Sequence, residues 1–142
     1  MSDTRAILDT GPIIALLNHG DPHHKWVRDS WARASAPLLV CEPVLTEAFF
    51  LARRLGFGAQ EAILQFVDRG ELRLSFDLSE ELAAVRKLLK KYQDLPMSLA
   101  DGCIVRMAEQ HPRSAVFTLD SDFAVYRKHG RQRIPLLSPA SA

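Results

Sequence analysis

Apolar positions along the chain fall into short runs that alternate with longer stripes of 3.6-residue period. Arg5-Ala6-Ile7-Leu8-Asp9 reads as a buried strand that stops at an acid. Pro37-Leu38-Leu39-Val40-Cys41, Leu72-Arg73-Leu74-Ser75-Phe76, Ala115-Val116-Phe117-Thr118 and Ile134-Pro135-Leu136-Leu137 are the other strand candidates. Thr10-Gly11-Pro12 turns the chain into a helix through Ile13, Ile14, Leu16 and Leu17 to Asn18, and Asp21-Pro22 opens a second through Trp26 and Trp31. Pro43 opens a third, Val44 to Leu55, which Gly56 is placed to end. Gln60 to Arg69 is helical in pattern. Asp77-Leu78-Ser79-Glu80 has capping-box spacing and starts a helix with Leu82, Val85, Leu89 and Tyr92 on one face. That helix carries acids in its first turn and Lys90 and Lys91 in its last, as the helix dipole favours. Ser98 to Gln110 forms a further helix between Pro96 and Pro112. Strands alternating with helices predict an α/β fold with a mainly parallel sheet.

Composition narrows the class further. The chain has 142 residues, 47% apolar and 25% charged, which suits one domain spanning residues 1–142. With 18 basic against 17 acidic residues, the balance excludes disorder and an unspecific polybasic arm. No apolar run approaches the ~18 residues of a membrane span. Asp3 and Asp9 interrupt the N-terminal stretch in a way unlike a secretory signal. Cys41 and Cys103 lie far apart without a CxxC pattern and in apolar surroundings, so they read as small core residues of a cytoplasmic protein.

Four acids occupy suggestive places. Asp9 ends the first strand, and Asp120, with Asp122 two residues on, follows the strand that ends at Thr118. Glu47 and Asp101 fall early in their helices, each the lone charge of an apolar segment. In a parallel sheet, strand C-termini and the following helix N-termini share one edge, where ligands bind. Each acid also has a plain structural reading. Asp101 completes a capping box with Ser98, Asp9 forms an Asx-turn, and Asp120 with Asp122 flanks a turn. Glu47, inside Val44-Leu45-Thr46-Glu47-Ala48-Phe49-Phe50, is expected to be partly buried and to need a partner. Two carboxylates about 5 Å apart repel by roughly 3 kcal/mol at an effective dielectric near 20. A cluster of four therefore calls for protons or cations, and an all-oxygen donor set suits Mg²⁺ or Mn²⁺. Carboxylate-held divalent ions are equipment for phosphodiester hydrolysis.

Leu8-Asp9-Thr10-Gly11-Pro12, Leu45-Thr46-Glu47-Ala48, Ser98-Leu99-Ala100-Asp101-Gly102 and Thr118-Leu119-Asp120-Ser121-Asp122-Phe123 resemble the PIN-domain family, nearest its VapC-type toxin ribonucleases. The resemblance runs from Ile7 to about Leu137, with the acidic motifs in order. It implies a three-layer α/β/α sandwich and an acid-lined cleft binding Mg²⁺ or Mn²⁺. It also implies RNA cleavage by metal-activated water, leaving a 5′-phosphate and a 3′-hydroxyl. Asp9, Glu47, Asp101 and Asp120 match the acidic quartet, Asp122 a further acid, and Thr10 and Thr118 the hydroxyl residues beside the ligands. Gly102 stands where the family often has Ala, at about 1 kcal/mol of helix propensity. Asp94 resembles an acid of one branch but also fits a plain turn. An antitoxin partner and a homodimer are expected by the same resemblance.

Other signals have simpler readings. Arg86-Lys87 and Lys90-Lys91 read as a solvated helix face. The second basic stretch, Arg127-Lys128-His129-Gly130-Arg131-Gln132-Arg133, follows the Asp120 turn and is expected near the cleft, with Arg127, Lys128 and Arg131 as RNA-backbone contacts. His23-His24 reads as an exposed helix start, and Trp26, Trp31, Phe49 and Phe50 as core or dimer contacts. Three rival functions fit the sequence less well. A receiver-type phosphoacceptor would need paired acids after the first strand and a Lys ending the last. An aspartyl-phosphatase would need an acid at the position of Gly11. A non-catalytic PIN-fold RNA-binding or scaffold module would be marked by loss of an acid, and none is lost.

Overall fold

The structure, a computed structural model, describes residues 4–141; Asp3, one of the two acids unlike a secretory signal, lies outside them. The chain runs β1 (Arg5–Leu8), α1 (Thr10–Leu17), α2 (His24–Arg33), β2 (Leu38–Val40), α3 (Glu42–Ala52), α4 (Phe57–Asp68), β3 (Leu72–Leu74), α5 (Leu78–Lys91), α6 (Leu99–Gln110), β4 (Ser114–Phe117), β5 (Arg127–Lys128), β6 (Gln132–Arg133) and β7 (Leu136–Leu137).

β3, β2, β1, β4 and β7 form one sheet in that order, every pairing parallel. Ala6, Ile7 and Leu8 of β1 are all buried, as a central strand covered on both faces requires. α2 sets Trp26 and Trp31 edge-on against Phe117 of β4, at 5.7 and 6.2 Å between ring centroids. α6 lies against β1 and β4 and beside α5. β1 and β4 are neighbours although the chain between them visits β2 and β3, so the winding reverses there. Such a switch point opens a crevice at the strand C-termini.

Boundaries moved where a polar group took a capping role. Asp9 leaves β1 and caps α1, and Cys41 leaves β2 to precede α3. α3 ends at Ala52, and a 3-10 turn over Arg53–Leu55 leads to Gly56, whose φ of 103° is the left-handed geometry expected of a helix stop. The last strand keeps only Leu136 and Leu137, although Ile134 is buried.

Two apolar side chains of the expected faces lie at the surface. Leu82 is 46% exposed, because α5 turns Val85, Leu88 and Tyr92 toward α6 and the core instead. Phe50 is 58% exposed, with the Arg53 guanidinium 3.8 Å above its ring. His23 is exposed as expected, whereas the half-buried His24 donates from Nδ1 to the Ala15 carbonyl at 2.8 Å.

Candidate active site

β1 and β4 pair in a register that sets Leu8 beside Phe117, so Asp9 and Thr118 meet just past their strands. Asp9 Oδ2 accepts from the Thr118 hydroxyl at 2.7 Å, and Oδ1 from the Thr10 amide at 2.8 Å. Thr118 Oγ1 in turn accepts from the Asp120 amide at 2.9 Å. On the α3 side, the Thr10 hydroxyl donates to Glu47 Oε1 at 2.8 Å. Asp101 is the third residue of α6 and closes a capping box with Ser98. Its Oδ2 accepts from the Ser98 amide at 3.3 Å and from the Tyr126 hydroxyl at 3.1 Å. Asp120 Oδ1 accepts from the Asp122 amide at 2.9 Å, starting the 3-10 turn Ser121–Ala124.

Asp9, Glu47, Asp101 and Asp120 line one cavity of about 520 Å³, together with Thr10, Ser98 and Asp21. No Lys or Arg is among its lining residues. The capping roles anticipated for single acids are therefore real and compatible with a shared site. Asp101 caps through Oδ2, the oxygen that also takes the Tyr126 hydroxyl, while Glu47 is bonded through Oε1 and Asp120 through Oδ1.

Burial pushes the Asp9 carboxyl up to about 6, against the pull of the Thr118 and Thr10 hydrogen bonds, and the Asp101 and Asp120 charges add to the rise. Asp101 also titrates above the ordinary carboxylate range, chiefly through burial. Tyr126 is raised by burial and by the Asp101 charge beside it, so its phenol stays a donor.

This donor set fits a hard divalent cation: oxygen ligands only, partly desolvated negative charge and no internal counter-cation. Among the described residues no three such side chains stand close enough to enclose an ion unaided. Mg²⁺ commonly binds through one or two carboxylates while keeping several waters, so an open arrangement suits it.

The structure does not gather every candidate. Glu47 is exposed rather than partly buried, because it lies on the flank of α3 beside the buried Val44 and Ala48, and its partner is Thr10 rather than a cation. Asp122 is exposed and does not line the cavity. Arg127, Lys128 and Arg131 belong to a β5–β6 hairpin docked on the far half of α6, where the His129 amide donates to Glu109 Oε2 at 2.8 Å. None of the three lines the acidic cavity, although Tyr126, directly before the hairpin, reaches Asp101. Lys128 is only 8% exposed, and the Arg127 guanidinium donates to the carbonyls of Ala124, Val125 and Tyr126.

Two lining or supporting residues escaped the sequence. Asp21 lines the cavity while its Oδ1 accepts from the His23 amide at 2.8 Å, and its Asp-Pro context signalled only a helix start. Tyr126 is fully buried against Tyr92 and Phe123, and nothing in its spacing links it to Asp101.

A parallel sheet whose switch point carries four converging carboxylates defines an α/β protein with a cation-seeking pocket. The chain belongs to the PIN domain family, whose model matches residues 6–129. It is 27% identical over 133 residues to ribonuclease VapC26 of Mycobacterium tuberculosis, covering 92% of this chain and 98% of that protein. Its fold is similar to the crystal structure of VapC20 of Mycobacterium tuberculosis, described as a sarcin-ricin loop cleaving toxin. That match has a TM-score of 0.75 and 22% identity over 84% of this chain and 93% of the other.

Proposed function

We propose that this protein is a metal-dependent endoribonuclease, acting as a single cytoplasmic domain and serving as the toxin of a toxin–antitoxin pair. The convergence of Asp9, Glu47, Asp101 and Asp120 in one pocket free of lysine and arginine carries the reading. The similarity to a ribonuclease along almost the whole chain supports it.

In this reading Asp9, Glu47, Asp101 and Asp120 would hold Mg²⁺ or Mn²⁺, with water completing the coordination. A divalent cation there supplies a water of lowered pKa and offsets charge on the phosphate and the leaving oxygen. Thr10 and Thr118 fix the orientation of Glu47 and Asp9 by donating a hydrogen bond to each, as outer-shell partners of metal ligands do. Ser98 and Tyr126 hold one oxygen of Asp101 and leave the other facing the pocket. Asp122 adds charge from the rim as an outer acid. Of the hairpin cations Arg127, Lys128 and Arg131, the exposed Arg131 contacts the RNA backbone outside the pocket, while Arg127 and Lys128 are held within the protein.

The proposed partners are an antitoxin protein and a second copy of the chain. An apolar groove of about 770 Å³, lined by Phe50, Phe76, Leu78 and Leu99 and sharing Glu47 with the pocket, supports a dimer contact next to the site.

Asp101→Asn tests the chemistry. Cleavage of a single-stranded RNA in Mn²⁺ should fall at least about 100-fold, the scale of losing a group that acts in the transition state. Wild-type rates in that variant would exclude the site. Absence of cleavage in both proteins would favour a non-catalytic module.

A further inference from the structure

α5 carries four cations, Arg86, Lys87, Lys90 and Lys91, and its last turn reaches the tip of the β5–β6 hairpin. Lys91 Nζ donates to the Gly130 carbonyl at 2.7 Å and so ties the end of the helix to the hairpin tip. Arg86, Lys87, Lys90, Lys91, Arg131 and Arg133 are exposed, and none makes an ion pair among the described residues. Two of the acids near them, Glu81 and Glu109, are already committed. Arg106 Nε holds Glu81 at 2.7 Å and its Nη1 holds Glu109 at 3.1 Å, while Glu109 also takes the His129 amide. Between Leu82 and Gln93 the helix carries no acid, and Asp94 lies in the turn beyond.

Two depressions run along this face. One, of about 450 Å³, is lined by Ala83, Arg86, Lys87 and Lys90. The other, of about 410 Å³, shares Ala83 and Lys87 and adds Lys91, Arg106, Glu109 and Gly130. They make a continuous basic groove floored by small side chains. No aromatic side chain lines it, as the core of a protein interface would require.

We infer that this groove between α5 and the hairpin is an RNA-backbone docking surface, separate from the acidic pocket. The inference rests on the ribonuclease reading for its substrate but not for its geometry. Uncompensated cations in a groove without aromatic anchors match a phosphate backbone, which is bound by charge without base readout. α6 links the two places: Asp101 lines the pocket and Glu109 the groove, eight residues apart, or about 12 Å along the helix axis. At about 3.4 Å per stacked nucleotide, an RNA must extend three or four nucleotides beyond the cut to reach the groove. Long RNA should therefore use both places, and very short RNA the pocket alone.

The test compares wild type with Lys87→Glu/Lys90→Glu and Lys87→Gln/Lys90→Gln, all as full chains. Binding of a 5′-labelled RNA of about 30 nucleotides is followed by fluorescence polarisation in EDTA, where nothing is cut, across a salt series. Charge reversal should weaken binding at least about tenfold and flatten the slope of log K against log salt by about 1.4 to 1.8, as losing two phosphate contacts requires. The Gln pair, which loses the same two contacts without adding negative charge, should flatten the slope equally and weaken binding less. With Mn²⁺, cleavage of a three-nucleotide RNA, which extends at most two nucleotides beyond the cut, should stay within twofold of wild type while KM for the long RNA rises. Unchanged affinity and slope in the Glu pair, with an unchanged melting temperature, overturns the inference; so does equal loss on short and long RNA. Should the Glu pair fail to fold, the Gln pair decides by the same slope. If wild type binds RNA through this groove but cuts neither RNA, the docking surface stands and the ribonuclease reading falls.

Discussion

Asp9 concentrates the physical conflict of the site. It is 8% exposed, holds two hydrogen bonds, and faces two other carboxylates. Its pKa of about 6 lies above the unfolded value near 3.8. A raised carboxyl favours the folded state fully below the unfolded pKa, and that contribution disappears as pH rises through the folded one. Without metal, the protein at pH 7.5 is thus less stable than below pH 4 by about 3 kcal/mol from this group. Asp9→Asn removes the charge yet keeps both contacts, since the amide oxygen can accept from Thr10 and the amide nitrogen can donate to Thr118. In EDTA at pH 7.5 it should raise the melting temperature by about 5–10 °C, and at pH 4.5 by about a third as much. A melting curve lowered equally at both pH values would show that packing, not charge, governs the position.

At the scale of elements, the contact of α5 with α6 decides where Asp101 sits. Gly102 follows Asp101, and a Cβ built on it would lie 3.3 Å from both Leu89 Cδ2 and Val85 Cγ1. The helix-propensity cost of this glycine thus accompanies a close helix approach. Gly102→Leu should cost about 1–3 kcal/mol by overpacking and lower activity further by displacing the start of α6. Thermal melts and Mn²⁺-dependent cleavage check this; a Leu variant of wild-type stability and rate would show that α5 yields freely.

The five strands of the main sheet and all six helices were legible in the alternation of apolar runs and helical stripes, because long buried segments impose their period. The β5–β6 hairpin was not, since Arg127-Lys128 and Gln132-Arg133 have no apolar alternation and are held by turn geometry and by Lys91 and Glu109. The four acids were legible because parallel topology puts their places on one edge. The exposure of Glu47 and the Tyr126 contact were not, because each depends on how one helix or turn is rotated against another.

Over the whole molecule, a net charge of +1 averages two opposed regions. Negative charge gathers at the sheet's C-terminal edge, and positive charge in the α5–hairpin groove at the other end of α6. The fold thereby accepts internal repulsion at one edge that a bound cation would relieve. Binding to the folded state alone stabilises by about 2.7 kcal/mol at a ligand concentration 100 times Kd. For a chain of this size that corresponds to a rise in melting temperature of about 5–10 °C at saturating Mn²⁺. The rise should be larger at pH 7.5 than at pH 5, because a metal entering below pH 6 must displace the proton on Asp9. It should shrink sharply in Asp9→Asn, whose apo form already lacks that charge. Calorimetry in EDTA and in millimolar Mn²⁺ at the two pH values measures this directly. A shift of equal size at both, retained in Asp9→Asn, would place the cation away from the pocket at the sheet's switch point.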